Sequence, residues 1–199
     1  SIEVEGDSEL NLGLKTNLFH IYQSAGRDGK TNIAAKGITG DGYEGHYFWD
    51  TEMYILPFFI YTQPSIAKAL LNYRHSILEH SRERARILGI NKGCLYSWRT
   101  INGEECSAYY PAGTAQFHIN ADIAYGVRTY FEATKDEEFM QNNGLEILIE
   151  TARFWFEFGD FIKSKGNKFC INGVTGPDEY TAIVNNNYYT NLMAKNNMM

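Results

Sequence analysis

The chain has 199 residues, of which 44% are hydrophobic, and its formal net charge is -6. This length and apolar content are enough to bury a core, which excludes a disordered chain. The acidic balance, with basic residues clustered only at 82–86, argues against a nucleic-acid-binding protein. A neutral or weakly charged ligand fits this composition better.

The three cysteines are Cys94, Cys106 and Cys170, an odd number without metal-ligand spacing. We therefore expect reduced thiols, a cytoplasmic location and no metal site. The first ten residues are acidic and polar, where a signal peptide would be basic and then apolar. The most apolar run, residues 53–61, is shorter than the roughly 20 residues that a membrane span needs. The sequence thus predicts a protein that does not act at a membrane.

Helical spacing predominates along the chain, so the sequence predicts a mostly helical protein. The first helix begins near Ser8, which is a plausible N-cap, and ends before Gly26. The second helix spans about 48–61 and is apolar around its whole circumference, as expected in the middle of a core. Pro57 within it predicts a kink or an early break, because proline removes a backbone donor.

A third helix is predicted to begin at Pro64 and to stop at Gly89. Apolar residues at helical spacing over 119–130 predict a fourth helix. The remaining elements are a short segment capped by Asp136 and interrupted at 142–144, a fifth helix over 145–162, and a final helix beginning at Asn186 or Asn187. These amount to about six helices.

Three connecting segments are unusually long: residues 26–47, 90–117 and 168–185. Ordinary loops have about 4 to 6 residues, and long loops on a rigid scaffold are where binding sites are built. Aromatic and polar side chains concentrate at their edges: Tyr43, His46, Trp49, Asp50, Tyr96, Trp98, Arg99, Asp178, Glu179 and Tyr180. Either tryptophan taken alone is more readily explained as a core residue than as part of a site, but the joint pattern favours a site that binds a sugar.

The adjacent carboxylates Asp178 and Glu179 lie in a stretch without helical periodicity. Adjacent side chains of an extended chain point to opposite sides, so we expect one to face the site and the other to brace the loop. Inverting cleavage by water needs a second carboxylate about 6.5 to 9.5 Å from the acid. Either that carboxylate lies elsewhere, or the nucleophile needs no base.

Three blocks resemble the α-glucoside phosphorylases of glycoside hydrolase family 65, which act on maltose, kojibiose, nigerose or trehalose. They are residues 34–64, with "GHYFWDTE"; residues 118–127, "HINADIAYGV"; and residues 174–197, with "GPDEY". The resemblance runs from about Leu14 to the last residue. It implies an all-α fold, in which residues 1–199 form the first half of an (α/α)6 barrel catalytic domain. It also implies a fragment, without the family's N-terminal β-sandwich and the second half of the barrel.

The resemblance implies that Glu179 is the general acid and that Asp178 lies behind it. Trp49 and Asp50 are implied to hold the glucosyl unit. Weaker candidates for lining the pocket are Arg27, Tyr43, His118 and Tyr180. For Arg27 a role in bracing the loop is an equal alternative, and His118 is equally explained as a helix N-terminal residue.

The implied reaction is phosphorolysis of an α-linked glucose disaccharide with inversion, giving β-glucose 1-phosphate. Inorganic phosphate is then the co-substrate and no cofactor is needed. None of the long loops has a convincing phosphate-binding cluster, so we expect the isolated chain to be inactive. Its unpaired inner helix faces should also make it dimerise or be only marginally stable, and the protein is expected to be a homo-oligomer.

Two alternatives remain at the level of the sequence. One is an inverting trehalase-type hydrolase of the same family, with its base beyond Met199, although a cytoplasmic location favours phosphate as the acceptor. The block at 176–191 is nearer to the maltose, nigerose and kojibiose enzymes than to the trehalases. The other alternative is a non-catalytic helical module that binds a sugar or a partner, with Glu179 as an ordinary loop carboxylate.

Overall fold

The computed structural model describes residues 2–107 and 110–199. The described part is mostly helical, which confirms the predicted class. The helices are α1 (Ser8–Ser24), α2 (Leu56–Thr62), α3 (Pro64–Ser76), α4 (Leu78–Ile87), α5 (Ile119–Thr134), α6 (Glu137–Phe139), α7 (Leu145–Phe158) and α8 (Tyr188–Met198). Strands β1 (Asp160–Ile162) and β2 (Lys168–Cys170) form a small antiparallel hairpin. Within residues 2–107 and 110–199, no helix has the length and apolar character needed to cross a membrane.

The N-cap of α1 is Asp7 and not Ser8. The Asp7 carboxylate accepts a hydrogen bond from the backbone N–H of Leu10 at 2.9 Å. Its backbone is extended, as an N-cap requires, whereas Ser8 is already within the helix. The predicted end of this helix before Gly26 is confirmed.

The predicted second helix is divided into two parts. Residues Thr51–Ile55 form a π-helical turn, in which the N–H of Leu56 donates to the carbonyl of Thr51, and α2 follows with Pro57 in its first turn. Proline has no N–H to continue an α-helical ladder, so the break predicted there is confirmed. Helical structure begins at Asp50, two residues after the predicted start near residue 48. This helix was also expected to lie in the middle of the core, but it is not buried on all sides, because Tyr54 is 70% exposed.

The predicted third helix is also two helices, because the backbone of Ile77 leaves the α-helical conformation between α3 and α4. The hydroxyl of Ser76 donates to the carbonyl of Tyr73 at 2.7 Å and competes with the helical ladder at this point. Gly89, with a φ of +81°, follows α4 as predicted.

Asp136 caps α6 by accepting from the N–H of Phe139, and the interruption predicted at 142–144 is a π-helical turn over Met140–Gly144. The fifth helix ends at Phe158, not at residue 162. A side chain at Gly159 would collide with the ring of Phe169, so the hairpin packs where the helix would continue. Asn187 is the N-cap of α8. It is one of the two residues at which this helix was predicted to begin.

Helix α5 lies at the centre and packs against α2, α3, α7 and α8. On one side of it lies a core built mainly by α2, α3 and α5, with Leu70, Ile119 and Ile123 fully buried. A second core lies under α7 and α8 and contains Phe154 and Trp155. Cys94, Cys106 and Cys170 are unpaired, as the sequence predicted.

Candidate active site

The three long segments contact one another through their backbones. Tyr47 of the first segment and Thr100 of the second exchange two hydrogen bonds, at 2.8 and 3.3 Å. Thr175 of the third segment donates its N–H to the carbonyl of Ala115 at 3.0 Å and its hydroxyl to that of Ala112 at 2.7 Å. The second segment is therefore joined to both of the others, and together they form one surface.

A cavity of about 600 Å³ opens between these segments. Its lining is Ile33, Ala34, Ala35, Lys36, Tyr43, Phe48, Trp49, Asp50, Thr51, Ile55, Trp98, Arg99, Ser107, Tyr110, Pro177 and Glu179. The volume falls within the range of small-molecule sites, and the mixture of aromatic walls and a few polar groups is typical of them. All three segments that the sequence singled out thus contribute to a single cavity.

Aromatic rings form much of this lining and support one another edge to face. Phe48 contacts Trp98 with ring centroids 5.4 Å apart and Tyr43 at 5.3 Å, and Trp98 contacts Tyr110 at 5.8 Å. Trp49 is buried, whereas the neighbouring Asp50 is exposed to the cavity. Aromatic faces beside a carboxylate suit a sugar, whose C–H faces stack while its hydroxyls donate hydrogen bonds.

A buried ion pair holds the turn that carries Trp49 and Asp50. Arg74 of α3 donates through Nε and Nη2 to the two carboxylate oxygens of Glu52, each at 2.7 Å, and Nη2 also lies 3.3 Å from the carbonyl of Phe48. Burial by itself lowers the pKa of Arg74, but the Glu52 carboxylate more than offsets this and leaves the pKa above its usual value. The guanidinium is therefore permanently charged beneath the cavity.

Consecutive asparagines fasten the third segment at its base. Asn185 accepts from the N–H of Gly173 at 3.0 Å, and Asn186 accepts from the N–H of Ile171 at 3.2 Å. Asn187 caps α8 through the N–H of Thr190 at 3.0 Å. The polar run that looked unstructured in sequence is thus a closed loop tied to the first turn of a helix.

At the tip of this loop, Glu179 faces the cavity and Asp178 does not line it. Asp178 accepts from the hydroxyl of Thr181 at 3.2 Å, which braces the turn. Glu179 has a φ of +58°, an uncommon conformation for a residue with a side chain. Its Oε1 accepts a hydrogen bond from Gln116 Nε2 at 2.7 Å, and its carbonyl accepts from the hydroxyl of Tyr110 at 3.3 Å. The strained backbone and these two contacts fix where the carboxylate lies.

The structure brings together Glu179, Trp49, Asp50 and Tyr43, which all line the cavity. The other three proposed lining residues lie elsewhere. Arg27 is exposed and donates to the carbonyl of Tyr22 at 2.7 Å, so it braces the end of α1. Tyr180 follows the strained residue 179, points outward and is 94% exposed.

His118 is the N-cap residue of α5, and it is fully buried and lies behind the cavity wall. Its ring contacts that of Trp49 edge to face, with centroids 4.9 Å apart. Two residues of the loop-edge pattern also do not line the cavity: Tyr96 is fully buried in the core and His46 bonds within its own turn.

Sequence reasoning missed Lys36, Ser107, Tyr110 and Gln116. Lys36, Ser107 and Tyr110 line the cavity, and Gln116 contacts Glu179 directly. Lys36 lies within the "AAKGITG" block, but nothing in that block indicates where its side chain points. Gln116 ends the second long segment just before α5, and only its position at a loop edge could have indicated a role. Among residues 2–107 and 110–199, no group of three or more His, Cys, Asp or Glu side chains is arranged to hold a metal.

Comparisons with known proteins extend these observations. Residues 15–199 match the model of the glycosyl hydrolase family 65 central catalytic domain. The α,α-trehalose phosphorylase of Thermoanaerobacter brockii is 65% identical over 195 residues, which are 98% of this chain and 25% of that protein. The kojibiose phosphorylase of the same organism is 43% identical over 210 residues, covering 99% of this chain and 27% of its own length.

A solved structure described as a candidate kojibiose phosphorylase from the human microbiome superimposes with a TM-score of 0.91 at 36% identity. The match covers 98% of this chain and 26% of that one. The helices described above are therefore those of part of an (α/α)6 barrel. The chain spans about a quarter of the length of the relatives that it matches.

Proposed function

This chain belongs to glycosyl hydrolase family 65, and on that premise we propose that the full-length protein phosphorolyses α,α-trehalose to β-glucose 1-phosphate and glucose. Identity to the trehalose phosphorylase is 65%, against 43% for the kojibiose enzyme from the same organism, which supports trehalose over kojibiose. The observation that carries the catalytic part of the proposal is geometric. Glu179, Trp49 and Asp50 come from distant parts of the chain and line one cavity.

In this proposal Glu179 is the general acid. Its proton passes to the glycosidic oxygen as the bond from that oxygen to the anomeric carbon breaks, and glucose leaves. A phosphate oxygen forms the new bond to the anomeric carbon from the opposite face, which inverts the configuration. Phosphate is already an anion, so no second carboxylate is needed to activate it. This accounts for a site in which one carboxylate of the "GPDEY" loop faces the cavity and the other braces the turn.

Trp49 and Asp50 bind the glucosyl unit that is transferred. The indole supplies a wall against one face of the ring, and the Asp50 carboxylate accepts hydrogen bonds from sugar hydroxyls. Phe48 and Trp98 extend this wall. Their edge-to-face contact fixes the orientation of both rings before any sugar binds.

Phosphate needs cationic or N–H donors. Lys36 and Arg99 line the cavity, but Arg99 already pairs with Glu44 at 2.6 Å. We infer that residues of the full-length protein outside this segment complete the phosphate site, and that the 199-residue chain alone is inactive. Inorganic phosphate is a cytoplasmic metabolite, and the three unpaired cysteines support action in that compartment.

The decisive test compares the full-length protein with its Glu179→Gln variant, with trehalose and phosphate supplied together. We expect β-glucose 1-phosphate from the unaltered protein and a loss of about 10²- to 10⁴-fold in the variant, the range typical of a general acid. The matched control is Glu157→Gln, which makes the same change at an exposed position on α7.

Other outcomes would replace the proposal. Glucose formed without glucose 1-phosphate would identify a hydrolase whose base lies outside this segment. Absence of turnover with trehalose and with other α-linked glucose disaccharides would favour the sugar-binding module. Equal activity of the Glu179→Gln variant and its control would remove Glu179 from the acid role.

A further inference from the structure

A chain of hydrogen-bonded side chains leads from Glu179 into the interior. Gln116 Nε2 lies 2.7 Å from Glu179 Oε1, and Gln116 Oε1 lies 3.2 Å from His118 Nε2. His118 Nδ1 lies 2.6 Å from Asp122 Oδ2, and the hydroxyl of Tyr189 lies 2.7 Å from Asp122 Oδ1. The chain joins the loop of Glu179 to α5 and, through Tyr189, to α8.

The interior members of this chain are almost inaccessible. Gln116 is 1% exposed, and His118 and Asp122 are fully buried. Buried polar side chains lower the stability of a protein unless they are hydrogen-bonded. Here each one finds its partner in the next, so the chain is satisfied as a unit and its geometry is fixed.

The Glu179 carboxylate and the His118 ring together determine which way the Gln116 amide faces. An ionised carboxylate can only accept, so the amide presents its N–H to Glu179 and its oxygen to His118 Nε2. In this arrangement the His118 ring is an imidazolium that donates from both nitrogens, to Asp122 through Nδ1 and to Gln116 through Nε2. Donation by His118 to the amide oxygen also polarises the amide, which makes its N–H a stronger donor to the carboxylate.

The distal end of the chain is held in the same way. Asp122 lies one turn after His118 on α5 and orients the imidazole ring. Burial and the nearby Asp122 carboxylate raise the pKa of Tyr189, so its hydroxyl stays protonated and donates to Asp122. The rings of Trp49 and Tyr189 contact His118 edge to face, at 4.9 and 5.4 Å, and prevent it from rotating.

We propose that Gln116 is a positioning residue for Glu179, held in place by the His118–Asp122–Tyr189 chain. The inference rests on the acid role of Glu179 proposed above. The N–H of Gln116 stabilises the carboxylate that forms as the proton passes to the leaving sugar, and so strengthens the acid in the transition state. Gln116 does not contact the substrate in this arrangement, because it lies behind Glu179 and is buried.

The test uses leaving groups that differ in their need for an acid. Trehalose releases glucose, whose oxygen must be protonated, whereas α-glucosyl fluoride releases fluoride, which leaves without that help. Both are assayed with phosphate on the full-length Gln116→Met variant, which keeps the length of the side chain and loses both hydrogen bonds. Gln63→Met, an exposed position between α2 and α3, is the matched control.

We expect the trehalose kcat of Gln116→Met to fall about 10- to 100-fold, the effect of losing a hydrogen bond to a charged group. The KM for trehalose and the rate with α-glucosyl fluoride should change by less than about threefold, because binding and phosphate attack are untouched. The alkaline limb of the pH profile should move to higher pH, since the ionised acid loses its donor. Charged groups sharing the cavity with Glu179, namely Asp50, Lys36 and Arg99, are the same in both proteins.

Tyr189→Phe provides a second variant that removes only the far end of the chain. It should lower the trehalose rate two- to fivefold, again without affecting the fluoride rate, and it keeps the proposal testable if Gln116→Met does not fold. Parallel loss of both rates would assign Gln116 to packing and overturn the inference, as would an unchanged trehalose rate. If the unaltered protein makes no glucose 1-phosphate from trehalose, the proposed function fails, and this inference fails with it.

Discussion

Replacing Arg74 by methionine tests the buried ion pair beneath the cavity. The change leaves the Glu52 carboxylate, 1% exposed, without its cation. Removing one partner of a buried pair costs about 3 to 5 kcal/mol of unfolding free energy, because the other charge stays buried and unpaired. The relatives are about four times as long as this chain, so each kcal/mol lowers the Tm of the full-length protein by only about 0.5 to 1 °C, and we expect a fall of roughly 2 to 5 °C.

The assay is thermal denaturation of the full-length protein at pH 7, with two comparison variants. Arg86→Met removes an arginine that pairs with Glu79 and Glu83 on the surface, and should lower Tm by at most about 1 °C. Arg74→Met combined with Glu52→Leu should regain more than half of the loss, because an apolar pair leaves no charge buried. The reasoning is refuted if Arg74→Met is no worse than Arg86→Met, or if the double variant is less stable than the single one.

Two further predictions concern a glycine pair and an acidic cap. Gly93→Ala should lower the free energy of unfolding by more than about 2 kcal/mol, because the new Cβ would collide with the backbone of α7. Gly89→Ala, also at positive φ but in open space, should lower it by only about 1 kcal/mol in the same denaturation assay. Burial by itself would raise the pKa of Asp136. Hydrogen bonds at the start of α6 and a nearby lysine lower it by more, so the pKa lies below its usual value. Its stabilising effect is therefore present above about pH 4 and lost as pH falls through the lowered pKa. Asp136→Asn should flatten the Tm–pH curve below pH 4, and an unchanged curve would contradict this.

Local signals were sufficient for much of the fold. The caps at Asp136 and Asn187 and the stop at Gly89 depend on a few neighbouring residues, and they lie where the sequence places them. The break at Ile77 accompanies a local hydrogen bond from the Ser76 hydroxyl to the Tyr73 carbonyl, which a serine in a helical pattern does not indicate, and the end of α7 depends on the packing of the hairpin at 160–170. The ring of Phe169, for example, occupies the space into which α7 would have continued.

The same distinction applies to the candidate site. Trp49, Asp50 and Glu179 lie in blocks with recognisable sequences, so they could be named as site residues without a structure. Gln116 could not, because its partner Glu179 is 63 residues away and only the folded chain brings them together. The burial of His118 could not be predicted from the sequence either, because a histidine suits a cavity wall as well as the interior.

The π-helical turn Thr51–Ile55 has a consequence for engineering. Such a turn holds about one residue more than an α-helical turn, which amounts to an insertion of one residue and a rotation of about 100° between the residues before the turn and those after it. Trp49 and Asp50, before the turn, can thus face the cavity, while Leu56 and Phe59, after it, face the core. A first long segment taken from a relative of different specificity can be joined after Ile55 without altering how α2 packs. The turn is therefore a suitable junction for building chimeras.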